Sequence, residues 1–104
     1  MMTALHAELR VRPENANDVL IKLRALLSLT VNEPGNLIYA IHRDQDTLVL
    51  YELYRDRTAC DAHLASAPVV AALAAFAELL LEPPRVRIVE LLDLRLAAAI
   101  GAAS

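Results

Sequence analysis

No tryptophan occurs in this 104-residue chain, and lysine, cysteine and phenylalanine occur once each and glycine twice. Each shortage excludes something. With Cys60 alone, no internal disulfide framework is possible, and a reducing, cytoplasmic compartment is expected. With only Gly35 and Gly101, there is no glycine-rich loop to cradle a nucleotide phosphate. A single lysine, Lys22, and a net charge of −3 leave no concentrated excess of cations for nucleic acid. The longest apolar run, residues 67–77, contains Pro68 and is closed by Glu78, well short of the roughly 20 apolar residues of a membrane-spanning helix. The start of the chain lacks the basic segment, apolar stretch and small-residue cleavage site of a secretory signal, so none is expected.

Apolar surface is what the chain has in excess. Hydrophobic residues make up 57% of it and the mean hydropathy is +0.39. A chain of this length is expected to form one domain over residues 1–104, too small to hide that much apolar area by itself. Burial against a second copy is the natural outlet.

Residues 3–11 alternate, with Leu5, Ala7, Leu9 and Val11 on one side and His6, Glu8 and Arg10 on the other, as in a half-buried strand. Asn15 followed by Asp18 reads as an N-cap with a capping-box variant, and Val19, Leu20, Leu23, Leu26, Leu27 and Val31 recur at helical spacing. Glu33-Pro34-Gly35-Asn36 stops that helix. Strands over 37–43 and 47–55 flank the polar turn Asp44-Gln45-Asp46. Asp56 and Ser66 are expected to cap helices over 57–64 and 68–81, Pro83-Pro84 breaks the chain, and 85–94 reads as the last strand before a small-residue tail. The order strand, helix, strand, strand, helix, strand is the ferredoxin-like α+β plan, an antiparallel sheet with helices on one face. The third strand is apolar on both faces, with Leu48 and Leu50 sharing one side with Glu52 and Tyr54, and Val49, Tyr51 and Leu53 on the other. A sheet covered on one side only should be polar on its second side, so a homodimer through Val49, Tyr51 and Leu53, helped by residues 96–103, is expected.

Chemistry-bearing residues concentrate between 33 and 63. His63 has the imidazole suited to a general base or a donor to a substrate oxygen, and the competing reading is a histidine that caps or packs. Glu52, mid-strand, needs partners to offset its desolvation; it either orients His63 or a ligand, or makes a structural hydrogen bond. Tyr54 and Tyr39 are candidate donors to an oxyanion, or core tyrosines with a wet hydroxyl. Cys60 and His63, three apart on a helix, with Glu52, fall short of a recognisable zinc ligand set, so no metal is expected.

The succession Glu33-Pro34-Gly35 with Tyr39, Tyr51-Glu52-Leu53-Tyr54, then Ala59 with His63, on this element order, resembles the antibiotic biosynthesis monooxygenase superfamily. Gly35-Asn36-Leu37 and the Tyr51–Tyr54 segment look nearest to its branch of quinol monooxygenases and the isomerase of phosphorylated autoinducer. The resemblance implies a dimeric α/β barrel with a cavity between sheet and helices. It implies Glu52, Tyr54 and His63 as catalytic residues and Asn36, Tyr39 and Leu50 as substrate-binding ones. It further implies oxygenation of a small quinol-type or enolisable substrate by dioxygen, with no metal or flavin cofactor. An isomerase of a small ketone and a non-catalytic ligand-binding dimer are the alternatives. Where many members carry Trp this chain has Tyr54, and Ala7 stands where the haem-degrading branch has Asn, so haem degradation is not implied.

Overall fold

The structure, a computed structural model, describes residues 1–96. Strand β1 (Thr3–Arg10) leads through a short 3₁₀ turn (Pro13–Asn15) into helix α1 (Ala16–Thr30). The hairpin β2 (Asn36–Asp44) and β3 (Thr47–Tyr54) follows, then helices α2 (Arg57–Leu64) and α3 (Ala67–Phe76), and strand β4 (Arg85–Glu90). The sheet is antiparallel throughout, in the order β2-β3-β1-β4, which is the expected ferredoxin-like arrangement.

Pairing Leu5 with Glu52 and Ala7 with Leu50 puts the alternating apolar side of β1 and the Leu48, Leu50, Glu52, Tyr54 side of β3 on one face. That face meets the helices, and its core contains Leu5, Leu9, Leu23, Leu50, Cys60 and Phe76. Two carboxyl- and imidazole-bearing residues, Glu52 and His63, are buried with it. The second face presents Val49, Tyr51 and Leu53; Leu53 is buried, Tyr51 is half-buried, and its ring packs against His6 with centroids 5.3 Å apart. Of the expected tail contribution to a dimer, residues 97–103 lie outside the described residues.

Competing contacts override several of the expected caps and element ends. Asp56 does cap α2, accepting from Ala59 N at 2.8 Å. Asn15 does not cap α1: the preceding 3₁₀ turn leaves its backbone helical, and its amide reaches toward the Leu79 carbonyl at 3.5 Å instead. Ser66 makes no cap bond to α3, because its hydroxyl donates backward to the His63 carbonyl at 2.7 Å. Helix α3 ends at Phe76 rather than continuing to 81, since the end of β1 recruits the following backbone. Val11 bridges Leu80, Arg12 N donates to Leu79 O, and Leu81 N donates to Arg10 O. Strand β4 stops at Glu90, short of 94, because its partner β1 begins at Thr3, the residue opposite Glu90.

The turn after α1 requires its glycine. Gly35 has φ +86°, and a Cβ there would lie 2.8 Å from the Ala59 Cβ of α2. The left-handed conformation costs an L-residue about 1–2 kcal/mol before any clash. Gly35→Ala should therefore lower stability by at least about 2 kcal/mol, read as a fall in the urea midpoint. Adding Ala59→Gly should recover only the part due to the clash.

Candidate active site

Helix α2 and strands β2 and β3 bring His63, Glu52, Tyr54 and Tyr39 together. Glu52 and Tyr54 are two apart on β3, so they share the helix-side face, and the Tyr54 hydroxyl donates to Glu52 Oε1. His63, on the inner face of α2, points Nε2 at the same Glu52 oxygen, 3.2 Å away. Both contacts use Oε1, so neither draws on Oε2. Nδ1 of His63 lies 2.8 Å from Glu33 Oε1. A carboxylate thus stands at each nitrogen of an imidazole whose side chain is only 4% exposed. Tyr39 completes the group, its ring centroid 6.3 Å from that of His63 in an edge-on arrangement.

Three of these groups form the polar end of a cavity of about 70 Å³ between sheet and helices. Tyr39, Glu52 and His63 line it, and apolar side chains such as Leu9, Leu23, Leu50, Val69 and Phe76 make the rest of the wall. No Arg or Lys is among its described lining residues. By this measure a water occupies roughly 10–15 Å³, so the space holds a handful of waters. A ring-sized ligand must displace side chains at the rim, where Leu73 and Val86 are already exposed.

Of the residues singled out from sequence, His63, Glu52, Tyr39 and Leu50 reach the cavity wall. Tyr54 is buried behind Glu52 and contacts it rather than the cavity. Asn36 pairs opposite Tyr54 on β2 and lines a separate surface hollow with Leu37 and Val31. Glu33 was missed as a site residue, because its partner lies thirty positions along the chain. The available signal was the turn it belongs to, whose glycine seats that turn against α2.

The environment sets the protonation of the group. Burial pulls the His63 pKa down, but hydrogen bonds to Glu52 and Glu33 and the charge of both carboxylates outweigh it, leaving the pKa above the ordinary 6.5. Burial, reinforced by the bond to Glu52, raises the Tyr54 phenol well above its usual value; burial and the charges of Glu52 and Glu33 do the same for Tyr39. Both phenols are held as hydrogen-bond donors. Burial likewise raises the Cys60 thiol, which packs in the core as a neutral group. Among the described residues, no group of three or more His, Cys, Asp and Glu side chains is arranged to hold a metal ion.

A raised histidine pKa means that the folded protein holds this proton more tightly than the unfolded chain does. The stabilisation is complete below the unfolded value of 6.5 and is lost as pH rises through the higher folded value. The difference in urea midpoint between the wild type and His63→Gln is therefore expected to be larger at pH about 6 than at pH about 9.

Comparison with known proteins identifies the family of the chain. The family model for antibiotic biosynthesis monooxygenase matches residues 2–75. Among solved structures, Rv0793 from Mycobacterium tuberculosis is similar at 30% identity and a TM-score of 0.85, over 90% of this chain and 98% of that one. NE2512, a protein of unknown function from Nitrosomonas europaea, is 28% identical with a TM-score of 0.83, over 93% and 95% of the two chains. A further structure, of an antibiotic biosynthesis monooxygenase, is 25% identical with a TM-score of 0.79, over 89% of this chain and all of that one. No curated protein matches. By the family model and by these structural relatives, the chain belongs to the antibiotic biosynthesis monooxygenase family.

Proposed function

We propose that the protein is a cofactor-independent monooxygenase acting on a small, uncharged quinol-type or enolisable substrate, and that it works as a homodimer joined through the sheet face bearing Val49 and Tyr51. The observation that carries this reading is the polar end of the cavity: Glu52, beside a histidine bracketed by two carboxylates, at the end of an otherwise apolar space. In such a place a weakly acidic C–H or O–H is deprotonated by a positioned base, and water is kept from the reactive anion.

The family resemblance pointed to His63 as the base. With a carboxylate at each ring nitrogen and its pKa raised, His63 has no free lone pair for a substrate proton. In this proposal Glu52 takes the proton, Oε2 being the oxygen that neither Tyr54 nor His63 engages. The imidazolium of His63 offsets the charge of Glu52 between turnovers, and the Tyr39 phenol donates to the oxyanion that develops on the substrate. The substrate anion passes one electron to dioxygen and recombines with the superoxide formed. The resulting peroxide takes the proton back from Glu52 and breaks down to a carbonyl and water, so one oxygen atom enters the product and one leaves as water.

The absence of Arg and Lys from the described cavity wall favours the quinol-type reading over an isomerase of a phosphorylated substrate, whose phosphate needs cationic partners. Oxygen uptake with quinols and anthrones, run beside proton NMR of small ketones, separates the readings. Uptake with a matching carbonyl product is expected. Ketone interconversion without uptake would establish the isomerase, and saturable binding without either reaction would establish the binding module.

A further inference from the structure

We propose that Glu33 is the positioning residue of this site: it holds the Nδ1 edge of His63 so that Nε2 faces Glu52 and the cavity, and Gly35 is the residue that lets it come within reach. The contact is argued from geometry, while its catalytic consequence rests on the reading of Glu52 and His63 given above.

Glu33 lies on the turn between α1 and β2, outside the cavity wall, yet it makes the shorter of the two contacts to the ring, 2.8 Å against 3.2 Å for Glu52. The turn is seated against α2 with no room to spare. Gly35 adopts φ +86° with its Cα side facing the Ala59 Cβ, and its carbonyl accepts from Arg55 N at 2.8 Å. Ala59 is one helical turn before His63, so docking the turn there brings Glu33 alongside the imidazole. On the far side, the Ser66 hydroxyl holds the His63 carbonyl. Both the backbone and the Nδ1 edge of His63 are thereby fixed, which leaves one defined nitrogen for the cavity side, the task of the orienting carboxylate in any carboxylate–histidine pair.

The two carboxylates are in unlike surroundings. The Glu52 side chain is 4% exposed and lines the cavity, whereas that of Glu33 is 30% exposed. Among the described residues, the titratable groups facing the ring are Glu33 from the turn, Glu52 and Tyr54 from β3, and Tyr39 from β2. Of these only the two glutamates bear carboxyl groups, and Glu33 joins Glu52 in raising the His63 pKa by hydrogen bond and by charge. Glu33→Gln keeps an oxygen that can accept from Nδ1 but removes that charge, while Glu33→Asp keeps the charge on a shorter arm.

The test is an NMR titration of the His63 ring in the full-length chain, its signals identified by their loss in His63→Gln, together with turnover of whichever substrate supports oxygen uptake. In Glu33→Gln the titration midpoint of His63 should fall and kcat should drop about tenfold, with KM changed by less than about threefold. Glu33→Asp should recover most of both, and Gly35→Ala should move the titration in the same direction as Glu33→Gln. An unmoved His63 titration in folded Glu33→Gln overturns the proposal, as does a loss of kcat accounted for entirely by unfolding. If the wild type turns over no substrate, the monooxygenase reading fails, and the titration, which needs no substrate, still decides the role of Glu33.

Discussion

Glu52→Gln should lower kcat by roughly 10²–10⁴-fold, the usual contribution of a positioned general base, and leave the fold in place. Glutamine fills the same volume, and its amide oxygen still accepts from the Tyr54 hydroxyl, so that buried donor keeps its partner. The proton acceptor at the cavity wall is gone, and His63 is left with Glu33 as its single charged partner. Steady-state kinetics beside a thermal melt check this. A variant with wild-type kcat would remove Glu52 from the chemistry, and a loss that merely follows the fraction unfolded would reduce it to a structural residue.

His63→Ala should damage turnover and stability together. Glu52 and His63 are both nearly inaccessible to water, and truncating the imidazole strands a buried carboxylate with a phenol as its remaining partner. Breaking a buried pair in this way typically costs about 3–5 kcal/mol, which for a domain of this size lowers Tm by more than about 10 °C. Adding Glu52→Gln to His63→Ala should restore much of the stability, because the stranded charge is removed, and none of the activity. This double-mutant cycle separates the two roles of the pair. An additive result would show that Glu52 and His63 are not coupled.

The parts of this architecture governed by local rules were legible in the sequence. The alternation of Leu5, Ala7 and Leu9, the helical recurrence of Val19, Leu23 and Leu26, and the cap at Asp56 each depend on neighbours a few residues away, and each appears where expected. Asn15 and Ser66 misled because a cap bond is weak enough for another acceptor to draw the side chain away, the distant Leu79 O in one case and His63 O of the preceding turn in the other. The true end of α3 likewise depends on β1, some seventy residues earlier. At the site, the two-residue spacing of Glu52 and Tyr54 fixed their common face, and the family resemblance directed attention to His63. Which carboxylate meets which nitrogen was not legible. It follows from the docking of the Gly35 turn onto α2, a contact between segments far apart in the chain. The family resemblance set Tyr54 and Asn36 against a ligand, yet cavity access also depends on what lies above them; Glu52 stands between Tyr54 and the space, and Asn36 sits at the strand end beyond it.

The central claim is that Glu52, held by Tyr54 and His63, takes a proton from a substrate in the apolar cavity, and this step can be observed apart from oxygen. An anthrone-type substrate or enolisable ketone incubated with the protein in D₂O under strict exclusion of dioxygen should exchange its acidic C–H for deuterium, followed by NMR, at a rate that Glu52→Gln reduces by roughly 10²-fold or more. Exchange by Glu52→Gln at the wild-type rate, or oxygen consumption in air by a protein that catalyses no exchange in its absence, would contradict the account.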